Sequence, residues 1–161
     1  MKIDTLKTLS PLDGRYYEAN NDLRDILSEY GLIHYRIKVE IEWFIHLSKQ
    51  TKIPELPKLT IKDSSYLTDL INNFTEKDAL EIKKLEKKTN HDVKAVEYYL
   101  KEKFSKSSKL LKYVEFIHFA CTSEDINNLA YSLMIRDSSN HLIKNDLAVI
   151  ERILKKKSKA Y

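Results

Sequence analysis

Residues 115–128 read EFIHFACTSEDINN, and this stretch indicates how the chain folds. An apolar run ends there at Thr122 and Ser123, whose hydroxyls can accept hydrogen bonds from the free N–H groups of a first helical turn. Glu124 and Asp125 follow, and carboxylates are favoured beside the positive end of a helix. Apolar residues then return at helical spacing. The stretch therefore predicts a helix that has Thr122 or Ser123 as its N-cap.

The same helix start could also hold an anion. Free N–H groups and hydroxyls at a helix N-terminus bind carboxylates and phosphates. Two acidic residues in the same turn oppose that use. The residues alone therefore favour a capping role over a binding role.

The rest of the chain is poor in the residues that make tight turns. Gly14 and Gly31 are the only glycines, and the three prolines all precede Lys58. Hairpins depend on such residues, whereas long helices can be joined by Ser, Asn, Thr and Lys connections. We therefore predict an all-α fold.

Apolar periodicity sets the expected helix boundaries. A first helix is expected over residues 21–30, with Gly31 as its left-handed stop, and a second over residues 32–48. Thr60 and Thr75, each followed three residues later by Asp, are the expected N-caps of two more. Residues 1–19 have no helical pattern.

The helical pattern that begins at Ser123 continues towards the end of the sequence. It has a weak point over residues 137–140, where polar residues cluster. We predict one long helix here rather than two. It carries apolar residues on more than one face and has no stop signal, so the chain is expected to be part of a longer protein.

Composition narrows the classes of function. The chain has 161 residues, 42% hydrophobic and 32% charged, which is typical of a folded globular domain. Its 28 basic and 24 acidic residues give a net charge of +4 without a basic arm, so nothing indicates nucleic-acid binding. No run approaches the ~20 apolar residues of a membrane span, and with one cysteine no internal disulfide is possible. We expect a cytoplasmic protein with no nucleic-acid or membrane partner.

Two reactive side chains precede the helix start. His118 lies in an aromatic-rich run and is expected to pack against the core. Cys121 has no base partner nearby in the sequence, so we expect an unreactive thiol rather than a nucleophile.

Two further stretches have polar residues at turns. Residues 10–16 read SPLDGRY, which predicts a tight loop that presents Arg15 and Tyr16. Residues 89–97 read TNHDVKAVE and lie where one helix ends and the next begins; Thr89, Asn90 or Asp92 could cap the second helix. From the residues alone, the first stretch is a surface turn and the second a helix junction.

The three stretches, in this order, resemble the adenylosuccinate lyases of the fumarase/aspartase superfamily. The resemblance covers essentially the whole chain, which would form only the first part of a typical member. It implies an N-terminal helical domain over residues 1–122, followed over residues 123–161 by the start of a long helix of the central bundle.

The resemblance also implies roles for the three stretches. Arg15 and Tyr16 would hold the phosphate of the nucleotide substrate. Asn90, His91 and Asp92 would line the nucleotide site, with His91 supporting proton transfer and orientation.

At the start of the long helix, Thr122 and Ser123 would donate hydrogen bonds to succinyl or phosphate oxygens. The general acid and base of the family would lie beyond residue 161, so no residue here is expected to be the acid or the base. No metal and no organic cofactor are implied.

The implied reaction is a β-elimination of fumarate from adenylosuccinate, giving AMP, and from SAICAR, giving AICAR, in purine biosynthesis. The implied assembly is a homotetramer, and the 161-residue chain alone is expected to be inactive. Two alternatives stay open. A sibling lyase, acting on argininosuccinate or resembling aspartase, would not need the Arg15–Tyr16 pair, and a non-catalytic helical interaction module would bind no nucleotide.

Overall fold

The computed structural model describes residues 7–160, and all regular secondary structure in this range is helical. The α-helices are α1 (Asn21–Leu27), α2 (Glu29–Leu47), α3 (Ile61–Asn72), α4 (Glu76–Thr89), α5 (Asp92–Ser105), α6 (Ser123–Ser138) and α7 (Lys144–Ser158). Short 3₁₀ segments occur at Glu18–Asn20 and Leu110–Phe116. The all-α prediction is confirmed. Residues 1–6 and 161 lie outside the described residues. Residues 1–6 belong to the segment predicted to be irregular, and both ends belong to the predicted domains.

The chain forms two compact units. One consists of Leu32–Ser132, and the other combines the described residues up to Gly31 with those from Leu133 onward. The limits of these units are set by compactness alone. The predicted domains over residues 1–122 and 123–161 stay a prediction. None of the helices between residues 7 and 160 is long and apolar enough to cross a membrane.

The Leu32–Ser132 unit has a core of aliphatic and aromatic side chains. Phe44 and Phe104, both fully buried, meet edge to face with ring centroids 5.0 Å apart. The other fully buried large apolar side chains come from helices α2 to α6 and their connections: Ile33, Ile37, Ile41, Leu56, Leu67, Ile82, Leu100, Leu110 and Ile126. In α2, apolar side chains are buried on more than one face of the helix, among them Ile33, Tyr35, Ile37, Val39, Ile41 and Phe44.

Reciprocal capping boxes begin α3 and α4. The Thr60 hydroxyl accepts from the Asp63 N–H at 3.2 Å, and the Asp63 carboxylate accepts from the Thr60 N–H at 3.2 Å. Thr75 and Asp78 repeat the pattern at 3.4 and 3.1 Å. Each box satisfies two N–H groups that would otherwise lack partners, and the predicted caps are confirmed.

The predicted stop at Gly31 is wrong. α1 ends at Leu27, Ser28 is extended, and Gly31 lies inside α2 without a positive φ. The Ser28 hydroxyl accepts from the Gly31 N–H at 3.2 Å, and a Cβ on Gly31 would lie 2.3 Å from the carbonyl oxygen of Ile26. Glycine is therefore needed for the close approach of two helix ends, and the break occurs at Ser28.

The prediction of one long helix after Ser123 is confirmed. α6 passes into α7 through a π-helical turn at Ser139–Ile143, at the predicted weak point. Ser138 and Lys144, on either side of this turn, keep right-handed helical backbone angles. The helix is therefore wider over this one π-helical turn but does not end there.

Candidate functional site

His91 caps its own helix. Its Nδ1 accepts a hydrogen bond from the Lys94 N–H at 3.1 Å in the first turn of α5. The expected caps have other roles: Asn90 takes the left-handed conformation that ends α4, with φ 51°, and the Thr89 hydroxyl donates to the His91 carbonyl at 3.0 Å. The expectation of a Thr89, Asn90 or Asp92 cap is therefore wrong. Thr89 and Asn90 shape the turn, Asp92 is the first residue of α5, and His91 takes the N-cap position.

The cap fixes the tautomer and direction of the His91 ring. Since Nδ1 accepts from a backbone N–H, the ring proton of the neutral imidazole is on Nε2. Nε2 lies 3.4 Å from the Ser123 Oγ. The side chain as a whole is 49% exposed, so the ring lies at the surface of the protein. The helix backbone therefore holds a directed N–H donor at the surface.

Thr122 and Ser123 differ in their contacts. Thr122 is the residue before α6, and both its N–H and its hydroxyl donate to the Asp125 carboxylate, at 2.7 and 3.0 Å. The Thr122 N–H, together with the Thr122 hydroxyl, lowers the pKa of this carboxyl. Thr122 thus marks the predicted helix start, but only the Ser123 hydroxyl contacts His91.

Asp92, the first residue of α5, has both carboxylate oxygens engaged. Oδ1 accepts from the Val93 N–H at 2.8 Å, and Oδ2 accepts from the Arg36 guanidinium at 2.5 Å. Burial raises the pKa of Asp92, but these two interactions outweigh it and lower the pKa overall. Asp92 is therefore a carboxylate near neutral pH, with its orientation set by the protein.

Arg36 is a site residue that the three motif stretches do not include. It is 3% exposed, and besides Asp92 it contacts Asn127, whose Oδ1 accepts from the Arg36 Nε at 2.9 Å. A signal for it was present, since Arg36 and Glu40 are spaced four residues apart on a helix that is apolar on both faces. Charged residues enclosed in that way need partners.

Glu40 is a second buried charged residue outside the three motif stretches. It is 1% exposed, and its carboxylate contacts both the backbone N–H of His118, at 3.1 Å, and the His118 Nδ1, at 2.6 Å. Burial raises the pKa of Glu40 despite these contacts. His118 and Ala120 have positive φ angles of 62° and 58°. Glu40 thus holds the strained loop before α6. The His118 ring is 18% exposed and lies against this buried carboxylate, and its packing against the apolar core stays a prediction.

Cys121 lies in the same loop. Burial, together with the negative Glu40 and Asp125, raises the pKa of the thiol to about 11. The thiolate is therefore scarce at neutral pH, which agrees with the expectation of an unreactive group.

Arg15 and Tyr16 belong to the other unit, within a tight turn. Backbone N–H groups of Asp13 and Gly14 donate to the Ser10 carbonyl at 3.2 and 3.0 Å. Both predicted side chains are exposed and line an open cleft of about 490 Å³, and the Arg15 guanidinium carbon lies 5.6 Å from the Tyr16 ring centroid. The predicted presentation on a tight loop is confirmed.

Within the Leu32–Ser132 unit, the structure brings His91 and Ser123 together. Asn90 and Asp92 stand beside His91 in the chain, and Thr122 stands beside Ser123. Among the described residues, no group of three or more His, Cys, Asp or Glu side chains could hold a metal ion.

Comparison with known proteins decides the family. The family model described as lyase matches residues 14–161. The chain belongs to this lyase family. It is 51% identical over 150 residues to an adenylosuccinate lyase of Legionella pneumophila strain Corby, covering 93% of this chain and 33% of the relative.

Other relatives carry the same name. The chain is 46% identical over 143 residues to an adenylosuccinate lyase of Escherichia coli K12, covering 89% of this chain and 31% of the relative. It is 43% identical over 161 residues to one of Vibrio cholerae, covering 100% of this chain and 35% of the relative. The resemblance drawn from the three stretches is confirmed, and this lyase-family chain spans about a third of the length of the curated relatives it matches.

Proposed function

We propose that the chain forms part of an adenylosuccinate lyase, a carbon–nitrogen lyase of purine biosynthesis. The enzyme would eliminate fumarate from adenylosuccinate, giving AMP, and from the succinylcarboxamide intermediate SAICAR, giving AICAR. The relatives named adenylosuccinate lyase, at 43% to 51% identity, support this assignment.

One observation carries the proposal. His91 Nε2 lies 3.4 Å from Ser123 Oγ, although the two residues are 32 positions apart. A β-elimination needs donors that orient the substrate and stabilise the charge that develops on its carboxylate. The fixed Nε2–H of His91 and the Ser123 hydroxyl are two such donors on neighbouring helix starts. We assign both to substrate binding, with His91 also supporting proton transfer.

The other predicted residues complete the binding set. Asn90 and Asp92 would line the nucleotide site beside His91. The Thr122 hydroxyl donates to Asp125, so it would have to turn from that carboxylate to donate to a succinyl or phosphate oxygen.

Arg15 and Tyr16 would hold the nucleotide phosphate. A guanidinium offers two parallel donors to phosphate oxygens, and a phenol adds a third hydrogen bond. Their exposure on the wall of an open cleft of about 490 Å³ supports this role.

The elimination also needs a general acid and a general base. We assign neither role to a residue of this chain, and no metal or organic cofactor enters the proposed reaction. The 161-residue chain alone is therefore expected to release no fumarate.

We further propose that the enzyme is a cytoplasmic homotetramer without a nucleic-acid or membrane partner. The exposed apolar side chains along α7 support self-association, since a helix in water seldom exposes so many of them: Leu147, Val149, Ile150, Ile153 and Leu154.

The test is to reconstitute the enzyme from two parts. The chain is co-expressed with the segment of the Legionella relative that it does not match, and fumarate release from adenylosuccinate is followed by absorbance. We expect activity from the pair and none from either part alone. Arg15→Ala should raise KM for adenylosuccinate at least about tenfold, because a charged hydrogen bond to phosphate is lost.

The control is Lys7→Ala, which removes an exposed cation from the same unit as Arg15. It should leave KM unchanged. A reconstituted pair that folds but cleaves argininosuccinate instead, or that binds no AMP, would refute the assignment in favour of a sibling lyase or an interaction module, respectively.

A further inference from the structure

The Arg36 side chain contacts both segments that carry the proposed substrate donors. On α5 its partner is Asp92, the residue directly after His91. On α6 its partner is Asn127, one helical turn after Ser123. Arg36 itself is 3% exposed, so it is not available to a substrate.

A buried guanidinium is costly unless its donors are paired. Arg36 meets this condition with partners that are 56 and 91 residues away in sequence. Nη2 donates to the Asp92 carboxylate at 2.5 Å, and Nε donates to the Asn127 Oδ1 at 2.9 Å. If the start of α5 moved away from the start of α6, Arg36 would lose its hydrogen bond to either Asp92 or Asn127.

The partners are themselves oriented. Asn127 Nδ2 lies 3.3 Å from the Glu124 Oε1, which agrees with its oxygen facing Arg36. Asp92 also accepts from the Val93 N–H at 2.8 Å. The guanidinium is planar, so its two bonds fix a direction as well as a distance.

We propose that Arg36 is a positioning residue, which holds the first turns of α5 and α6 at the separation where His91 Nε2 meets Ser123 Oγ. The catalytic importance of this separation rests on the proposed function. The positioning itself does not, since it concerns contacts within the Leu32–Ser132 unit.

Lysine cannot replace arginine in this role. An ammonium on a flexible stem is a point charge, and it cannot present two donors in a fixed plane to acceptors on two helices. Arg36→Lys therefore keeps the charge beside Asp92 but loses the contact with Asn127. The helix starts are then free to move apart.

The first arm of the test measures the contact directly in the 161-residue chain. In the wild type, NMR should show nuclear Overhauser contacts between the His91 ring protons and the Ser123 β-protons. Arg36→Lys should lose or strongly weaken them. The control is Asp78→Asn, which removes a different ion pair of the same unit, that between Asp78 and Lys103. Lys103 lies about 16 Å along α5 from Asp92. This variant should keep the contacts, so general loss of stability is separated from positioning.

The second arm measures activity in the reconstituted enzyme. Arg36→Lys should lower kcat/KM at least about tenfold, because small misplacements of substrate-orienting groups have effects of this size. Asp78→Asn should stay within about twofold of wild type.

A second variant covers the case in which Arg36→Lys does not fold. Asn127→Ala removes the acceptor on α6 and should weaken the His91–Ser123 contacts. Retained contacts in Arg36→Lys or in Asn127→Ala would overturn the proposal. Lost contacts together with a wild-type reconstitution that folds but cleaves no adenylosuccinate would uphold the positioning role and refute the proposed function instead.

Discussion

Asp78→Asn should lower the stability of the chain by an amount that depends on pH. The Asp78 carboxylate accepts hydrogen bonds from the Tyr99 hydroxyl at 2.5 Å and from the Lys103 ammonium at 3.1 Å. It also accepts from the Thr75 N–H and hydroxyl in the capping box. The residue thus joins the start of α4 to the second half of α5.

The magnitude follows from its pKa. Burial raises the pKa of Asp78, but the hydrogen bonds from Thr75, Tyr99 and Lys103 outweigh it and lower the pKa from an ordinary 3.8 to about 2. Because the folded state favours the carboxylate, this contribution is present above the unfolded pKa and is lost as pH falls through the folded one. The difference corresponds to about 2 kcal/mol at neutral pH, which disappears between about pH 4 and pH 2.

The assay is urea unfolding of both proteins from about pH 7 to about pH 2. At neutral pH the Asn variant should be less stable by about 2 kcal/mol, and this gap should close in acid, because an amide does not titrate. The control is Asp69→Asn, which alters an exposed carboxylate on α3 and should change stability little. A gap that stays constant over the whole range would refute the reasoning, since it would report lost packing or hydrogen bonding rather than the carboxylate charge.

Two further predictions concern Gly31 and Cys121. Gly31→Ala should destabilise the chain by about 1–3 kcal/mol in thermal unfolding, although alanine is the better helix former, because its Cβ would lie 2.3 Å from the Ile26 carbonyl oxygen; a rise in Tm would contradict this. Cys121, with its pKa raised to about 11, should react with iodoacetamide at neutral pH much more slowly than the same thiol in the urea-unfolded chain, as mass spectrometry can follow. Equal rates in both states would show that the thiol is neither shielded nor perturbed.

Local features of the fold could be predicted from the sequence, because their causes lie within a few residues. The capping boxes of Thr60 and Thr75 depend only on a carboxylate three residues later. The turn at Ser10–Gly14 also closes through its own backbone. The boundary between α1 and α2 was misplaced because it depends on a close approach of Gly31 to Ile26, which the composition of the segment does not reveal.

The candidate site could be predicted only in part. Its motifs identify His91 and Ser123, and the structure brings these two together. The cap on α5 was assigned to the wrong residue, because Asn and Thr are common caps and the imidazole Nδ1 is a rarer one. Arg36 was missed altogether, since its partners are 56 and 91 residues away and no local pattern pairs them.

Three side chains that the motif stretches do not include lie on one helix. Arg36, Glu40 and Trp43 follow one another at helical spacing along α2. Arg36 holds the helix starts of α5 and α6, Glu40 holds the backbone of His118, and the Trp43 indole donates to the Phe119 carbonyl at 2.8 Å. Since residues 118 and 119 lead directly into Thr122 and Ser123, one face of α2 fixes both sides of the proposed donor pair. Substitutions on that face should therefore alter substrate binding, although the side chains they replace would not contact the substrate.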